Sequence, residues 1–346
     1  MENSNYSLPK TRPADPARDV EPARAVLTLA LGKPIYFEMA INLARSFLWW
    51  HRNSDIRFFM ATDLTTKLPP DLSDVRTIRL DPGQFGAGFS SKLHLDKLAP
   101  ARETLFVDAD CLCVGNLDDV FERFRGCDVS VVGREESEGE LFGDIRRRCQ
   151  AVGVPAVPRF CGGLYFVRKT QVSDAVFATA RELETRYEAL GMIRLRGVPN
   201  EEPLISLGMA IHKQHPVSED GTIKAEPMFF SGQTKIDIFE GKARLFNRSG
   251  RAKPFPDWNI PDEAHPVIVH FNCEFAEQPP YTTEACRLRL VMRDHWPLLL
   301  ATVYAQLTQA LPFWVSQRFK NIFRPIYRYC FGVRAIRPSA RLPESK

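Results

Sequence analysis

Short apolar runs alternate with a longer amphipathic segment in the first part of the chain. The runs 25–31, 56–61 and 75–80 are rich in residues that favour β-structure, and each has the length of a strand. Between the first two runs, apolar residues recur every three or four positions over 35–50, which is typical of a helix. This order predicts a parallel sheet with right-handed crossovers, so the expected fold class is α/β.

A fourth apolar run, 104–107, leads directly into two carboxylates, Asp108 and Asp110. A strand buried on both faces has no room for charge, so these residues should follow its carboxyl end, where open α/β sheets bind ligands. Two close carboxylates raise each other's pKa unless a cation lies between them or water solvates them. The pattern therefore predicts either a divalent cation with oxygen ligands or a turn with two solvated aspartates.

Later patterns predict further elements. Helices are expected over 90–98, 116–125, 143–152, 171–190 and 200–211, and strands over 127–133, 164–168, 229–238, 241–247 and 266–271. Gly162 and Gly163 precede one strand, where glycine either lets a ligand approach the backbone or forms a bulge. Taken singly, Glu202 is also explained as a cap partner of its helix, and His270 as a packed, hydrogen-bonded histidine.

Composition narrows the class of protein. The 346 residues suffice for one large domain or two small ones, and the net charge of +4 alone indicates no nucleic-acid partner. Residues 1–24 hold four prolines among charges and no apolar stretch of the secretory type, which predicts a disordered leader. The eight cysteines show no C-x-x-C or zinc spacing, which is typical of a reducing, cytoplasmic compartment.

Charge concentrates near the carboxyl terminus. Residues 287–346 carry eleven Lys and Arg against two acidic residues, or +9, which leaves −5 for residues 1–286. The uncharged stretch 296–315 contains Pro297 and Pro312, interruptions that argue against a spanning helix. Basic residues then interleave with aromatic ones, which favours an interfacial helix over 296–337 on the anionic inner face of a membrane. The alternative is a helix packed on the rest of the chain.

Four segments, in this order, resemble the motifs of GT-A retaining glycosyltransferases of the glycogenin and bacterial lipopolysaccharide galactosyl- and glucosyltransferase type (family 8). They are 91–94 with 106–110, then 160–165, 200–205 and 268–272. The resemblance spans 25–284 and implies a Rossmann-like GT-A fold, with a mixed, mostly parallel sheet flanked by helices and a basic helical extension. The domains expected are the leader 1–24, a catalytic domain 25–286 and a basic amphipathic tail 287–346.

The resemblance also implies a role for each matched residue. Asp108, Asp110 and His270 would ligate a Mn²⁺ or Mg²⁺ ion that bridges the diphosphate of a nucleotide sugar, expected to be a UDP-sugar. Glu201 or Glu202 would lie near the anomeric carbon, and Lys92 would contact phosphate or sugar, so these three are the catalytic candidates. The implied donor-binding residues are Ala30, Leu31, Asp63, Lys92, Asp108, Ala109, Asp110, Gly162 and Gly163.

The implied activity is transfer of a sugar to a glycan or lipid-linked acceptor with retention of configuration. The chain departs from the motifs at Cys161, where the family has asparagine, and at Gln278, near a missing lysine. These departures keep open a degenerate protein that binds nucleotide sugar or membrane without turnover. A phosphohydrolase of the D-x-D-x-[TV] type is a further alternative, which Leu112 in the Thr/Val position disfavours.

Overall fold

The strand–helix–strand pattern of the first hundred residues builds half of a central sheet. The computed structural model describes residues 21–86 and 88–333. Strands β1 (Arg24–Ala30), β2 (Arg57–Thr62), β3 (Arg76–Arg79) and β4 (Glu103–Val107) pair in parallel in the order β3-β2-β1-β4. Helix α1 (Pro34–His51) connects β1 to β2 and buries its apolar side against the sheet. The predicted parallel sheet is therefore confirmed.

The other half of this sheet is mainly antiparallel. Strand β4 pairs with β8 (Leu164–Arg168), β8 with β6 (Val129–Glu136), and β6 with β7 (Val157–Arg159), all antiparallel. The two-residue β9 (Val217–Ser218) joins β6 in parallel. In the central sheet as a whole, four of the seven strand pairings described are parallel. The mixed, mostly parallel sheet that the resemblance implied is therefore confirmed.

Residues 104–114 are divided between two sheets. Strand β4 ends at Val107, and β5 (Cys111–Cys113) then pairs antiparallel with β14 (Ile268–His270), which pairs in parallel with β10 (Lys224–Ala225). The Cys111 N–H donates to the Asp108 carbonyl at 3.0 Å, which closes the turn between β4 and β5. The acidic pair therefore follows the carboxyl end of β4, as predicted, and lies where the two sheets meet.

A third sheet is antiparallel and small. It consists of β11 (Lys235–Asp237), β12 (Lys242–Phe246) and β13 (Glu263–Ala264). Of the strand predicted over 229–238, only Lys235–Asp237 is a strand. Phe229 belongs to the 3₁₀ turn Pro227–Phe229 instead.

Helices cover both faces of the central sheet and enclose two apolar cores. One core holds α1 and the helical segment 117–124, and the other holds the helical segments 93–98, 145–149, 176–183 and 204–209. The α-helices that follow α1 along the chain are α2 (Leu95–Leu98), α3 (Asp118–Arg123), α4 (Ile145–Val152), α5 (Gln171–Glu184) and α6 (Glu201–Ile211). The helix predicted over 90–98 is mostly a 3₁₀ helix, Gly88–His94. All eight cysteines are free.

The carboxyl-terminal part of the described chain is helical. After α7 (Tyr281–Leu288), α8 (Leu298–Ala305) and α9 (Leu311–Phe331) are joined by the π-helical turn Gln306–Ala310 into one continuous helix. The wide turn ends at Ala310, and Pro312 lies in the first turn of α9, where proline is tolerated, so this proline does not interrupt the helix. By length and composition alone, the helix could cross a bilayer.

Only the first part of this helix packs on the rest of the protein. The small side chains of Ala301 and Ala305 are buried against Cys286, Leu290 and Val291. Helix α9 has no buried residue. The leader expected over 1–24 lies outside the described residues up to residue 20, and Arg24 already begins β1.

Candidate active site

One edge of the central sheet collects the predicted donor-binding residues. Strand β1 ends at Ala30, followed by Leu31, and its parallel neighbour β2 is followed by Asp63. The Gly32 N–H donates to Asp63 Oδ1 at 2.9 Å, which ties the two strand ends together. Asp63 therefore already has a backbone partner and shapes the loop after β1.

The same edge holds the acidic pair and the glycine turn. The Asp108 N–H donates to the Gly163 carbonyl at 2.9 Å, because β8 starts opposite the end of β4. Ala109 is buried between the two carboxylates. The strand ends therefore bring Asp108, Asp110, Gly162 and Gly163 into one small region.

His270 joins the acidic pair from a distant part of the chain. Its Nε2 lies 3.3 Å from Asp110 Oδ1 and 3.9 Å from Asp108 Oδ2. The position is set by backbone pairing, since His270 lies opposite Cys111 in the β14–β5 ladder and the Phe271 N–H donates to the Asp110 carbonyl at 3.0 Å. The structure thus brings together the three predicted metal ligands.

These side chains fit a divalent cation. Ligand atoms of Asp110, Cys111 and His270 lie within 4.8 Å of one another, and all three residues are buried. Burial raises the pKa of the Cys111 thiol above its ordinary value, so this group is a poor ligand compared with the two carboxylates and the imidazole. Oxygen and nitrogen ligands in this ratio suit Mn²⁺, and Mg²⁺ less well.

Lys92 lies between two carboxylates. Its Nζ is 2.8 Å from Asp108 Oδ2 and 2.8 Å from Glu201 Oε1, and its side chain is only 12% exposed. Burial disfavours the charged amine, but the two carboxylates outweigh burial and hold the Lys92 pKa above its ordinary value. Lys92 is therefore a fixed positive charge beside the acidic pair in this structure.

The predicted catalytic glutamates occupy the first turn of α6. Asn200 caps this helix through its side chain, which accepts the Glu202 N–H at 2.7 Å, so the cap partner is Asn200 and not Glu202. Glu201 is 1% exposed and its Oε1 also accepts the Tyr165 hydroxyl at 3.2 Å. Among the described residues, no hydrogen-bond partner reaches Glu201 Oε2.

Glu202 differs from Glu201 in its electrostatic surroundings. Its Oε1 accepts the Gly162 N–H at 2.7 Å. Burial, followed by the neighbouring Glu201 carboxylate, raises the pKa of Glu202 to about 8, although the Gly162 N–H opposes the shift. Glu202 is therefore mostly protonated at neutral pH, and a carboxyl group whose pKa is raised by burial is common in catalytic sites.

Gly162 and Gly163 make room for other residues of the site. A Cβ atom on Gly162 would lie 2.7 Å from Glu202 Oε1. Gly163 has a φ of +127°, and a Cβ atom there would lie 2.5 Å from His270 Nδ1. The two glycines thus let Glu202 and His270 approach the backbone, a requirement that the sequence did not reveal.

Two buried charged residues next to His270 were not predicted from the sequence. Lys224 is fully buried; its Nζ donates to the Cys161 carbonyl at 3.0 Å and forms an ion pair with Glu226. Glu226 Oε1 lies 3.6 Å from His270 Nδ1. The only signal for this pair was two charged residues alternating with Ile223 and Ala225.

No protein-family model matches the chain. No curated protein matches it either. Among solved structures, the chain is similar to the galactosyltransferase LgtC in complex with donor and acceptor sugar analogs, with 13% identity, a TM-score of 0.45, and coverage of 72% of this chain and 87% of LgtC.

Two further solved structures are similar to it. The bifunctional glycosyltransferase WbbM is 12% identical, with a TM-score of 0.46, over 75% of this chain and 47% of WbbM. Mouse xyloside xylosyltransferase 1 is also 12% identical, with a TM-score of 0.43, over 73% of this chain and 99% of the mouse protein. At these identities, the activity has to be argued from the residues of the site.

Proposed function

We propose that the protein is a metal-dependent glycosyltransferase that moves a sugar from a nucleotide-sugar donor, most simply a UDP-sugar, to a glycan or lipid-linked acceptor. The observation that carries this proposal is the convergence of Asp108, Asp110 and His270 at the carboxyl edge of the sheet. Retention of configuration is part of the proposal and is supported by the motif resemblance alone.

In this function, Asp108, Asp110 and His270 would hold a Mn²⁺ or Mg²⁺ ion, which when bound neutralises charge on a diphosphate leaving group. The carboxyl edge of β1 and β2, at Ala30, Leu31 and Asp63, would receive the nucleoside. This placement follows the general rule that ligands bind open α/β sheets at the carboxyl ends of the strands.

The remaining site residues are proposed to act on the sugar. Lys92 pairs with both Asp108 and Glu201, and Glu201 is proposed to face the positive charge of a developing oxocarbenium ion. Glu202, whose carboxyl group is mostly protonated at neutral pH, has a proton to donate to a sugar hydroxyl or another oxygen.

We also propose that α9 binds an anionic membrane surface from the cytoplasmic side, which would bring the site to a lipid-linked acceptor. None of its large apolar side chains is buried, and Phe319, Ile322, Phe323 and Ile326 are exposed. Its charged residues are all basic, namely Arg318, Lys320, Arg324 and Arg328. Such a helix gains free energy from apolar insertion and from attraction to anionic lipid.

The experiment that tests the enzymatic proposal measures nucleoside-diphosphate release from a panel of UDP- and GDP-sugars with and without Mn²⁺. We expect Mn²⁺-dependent release with at least one donor, and a loss of about 100-fold or more in Asp110→Ala. The matched control is Asp119→Ala, an exposed aspartate in the first turn of α3, which should retain activity.

Two results would overturn the proposal. Metal-dependent phosphate release from phosphomonoesters, with no reaction on nucleotide sugars, would identify the site as a phosphohydrolase. Binding of nucleotide sugars without any turnover, with a range of glycan and lipid acceptors supplied, would identify a degenerate binding protein.

A further inference from the structure

The sheet formed by β10, β14 and β5 holds the imidazole of His270 between two carboxylates. In the parallel β10–β14 ladder, Ala225 lies opposite Val269, so the next residue, Glu226, comes level with His270. Glu226 Oε1 lies 3.6 Å from His270 Nδ1, while Asp110 Oδ1 lies 3.3 Å from Nε2 on the other side of the ring. The order in space is therefore Glu226, His270, Asp110.

The ring has little freedom to turn. His270 is buried, and the backbone of Gly163 lies so close that a Cβ atom there would be 2.5 Å from Nδ1. A histidine that binds a metal through one nitrogen carries its proton on the other, and this N–H is usually directed at a carboxylate, a carbonyl or water. Among the described residues, Nδ1 makes no hydrogen bond within 3.5 Å, and the carboxylate within 4.0 Å of it is that of Glu226, at 3.6 Å.

Lys224 keeps Glu226 in place. Its Nζ forms an ion pair with Glu226 and a hydrogen bond of 3.0 Å to the carbonyl of Cys161, which directly precedes the Gly162–Gly163 turn. Both charged side chains are buried. A buried ion pair contributes little net stability compared with well-packed apolar residues, so stability alone does not account for this pair.

We propose that Glu226, held by Lys224, is a positioning residue that keeps the proton of His270 on Nδ1 and thereby presents Nε2 to the cation shared with Asp108 and Asp110. This inference rests on the proposed function in one respect, since it requires that these three residues bind a metal. It extends that function to two residues outside the motifs that pointed to the site.

The test titrates the full-length protein with Mn²⁺ alone, without any nucleotide sugar, and follows the free ion by electron paramagnetic resonance. Glu226→Gln should weaken Mn²⁺ binding about 10-fold, because the carboxylate charge is lost while an amide oxygen remains. Modulation of the bound-Mn²⁺ spin echo by the His270 nitrogen should be present in the wild-type protein and weaker in the variant.

Two further variants separate positioning from folding. Replacing both partners, as Lys224→Met together with Glu226→Met, removes the acceptor without leaving a buried charge unpaired, and Mn²⁺ binding should weaken about 100-fold in the folded protein. Glu284→Gln alters another buried carboxylate, which pairs with Arg287 away from His270, and should leave Mn²⁺ binding unchanged.

The outcomes distinguish this inference from the proposed function. If Glu226→Gln and the double variant bind Mn²⁺ as tightly as the wild-type protein, Glu226 is not a positioning residue, even if sugar transfer is observed. If Mn²⁺ binding depends on Glu226 while no nucleotide sugar is turned over, the inference stands and the proposed function fails. If the wild-type protein binds no Mn²⁺, both the metal-dependent function and this inference are wrong.

Discussion

His270 Nε2 lies 3.3 Å from Asp110 Oδ1, although more than half of the described helices and strands separate these residues along the chain. The contact depends on the short β14–β5 ladder, in which His270 faces Cys111. Because that ladder is only three residues long, a small displacement of either strand would separate the imidazole from the acidic pair.

Gly163→Ala should displace His270. The added methyl group would need the space of the imidazole, and the φ of +127° strains any L-residue, so we expect a loss of about 3 kcal/mol in the free energy of unfolding together with weaker Mn²⁺ binding. Gly153→Ala is the matched control, since its φ is +73° and no atom lies within 4 Å of a Cβ there. Its loss should be about 1 kcal/mol, with Mn²⁺ binding unchanged. Urea unfolding and Mn²⁺ titration measure the two effects, and equal losses in both variants would contradict the steric argument.

Lys92→Met should destabilise the protein by about 3–5 kcal/mol, because it leaves Asp108 and the buried Glu201 without their shared cation. The same change at the exposed Lys242, which pairs with Glu240, should leave the free energy of unfolding nearly unchanged. Urea unfolding of both variants gives the comparison.

A second variant tests whether charge balance is the cause of that loss. Lys92→Met combined with Glu201→Gln removes one charge of each sign and should recover part of the stability lost in Lys92→Met. If the double variant is less stable than Lys92→Met by the full effect of a second, independent mutation, the charges are not coupled as the distances indicate.

Glu202 should make folding stability depend on pH. Its pKa is about 8 in the folded protein against an ordinary value of 4.5, so between about pH 5 and pH 8 the folded state keeps a proton that the unfolded chain has released. The free energy of unfolding therefore falls as the pH rises through this range. In Glu202→Gln the fall should be shallower, by up to about 1.4 kcal/mol per pH unit.

Urea unfolding at several values between about pH 5.5 and pH 7.5 measures this slope. Glu188→Gln is the control, since the ordinary pKa of 4.5 already lies below this range and a hydrogen bond from Arg194 lowers the pKa of this exposed carboxyl further. An identical slope in Glu202→Gln and the wild-type protein would show that Glu202 is ionised throughout.

Membrane binding should reside in α9. A chain that ends at Ala310 keeps the buried alanines of the preceding helix, and none of the α9 residues that it loses is buried, so its body should fold unchanged. We expect the intact protein, and not the shortened one, to float with liposomes that contain anionic lipid. Glutamine at Arg318, Lys320, Arg324 and Arg328 should weaken binding by about 1 kcal/mol per residue and remove its salt dependence. Equal flotation of the intact and shortened chains would place the membrane-binding surface elsewhere.

Much of the fold was predictable because the local periodicity of apolar residues indicates its strands and helices. The strands and helix of residues 25–80 have uninterrupted apolar patterns and were found within one or two residues of their observed ends. The strand predicted over 241–247 is confirmed as β12. The helix predicted around Lys92 is mostly 3₁₀, and the short strands β9, β10 and β13 were not predicted. Their segments are too short for a period to emerge, and their conformations depend on contacts with other parts of the chain.

The sequence by itself determined the α/β class, the acidic pair at the end of a buried strand, and the motifs that contain the ligand candidates. Only the tertiary structure decided that Lys92 lies between Asp108 and Glu201, that Gly163 makes room for His270, and that Glu226 lies on the Nδ1 side of the imidazole. The reason is physical: periodicity reports which face of an element is buried, because that depends on residues close in the chain. Which charges meet depends on the register between strands from distant segments, and no local pattern encodes that register.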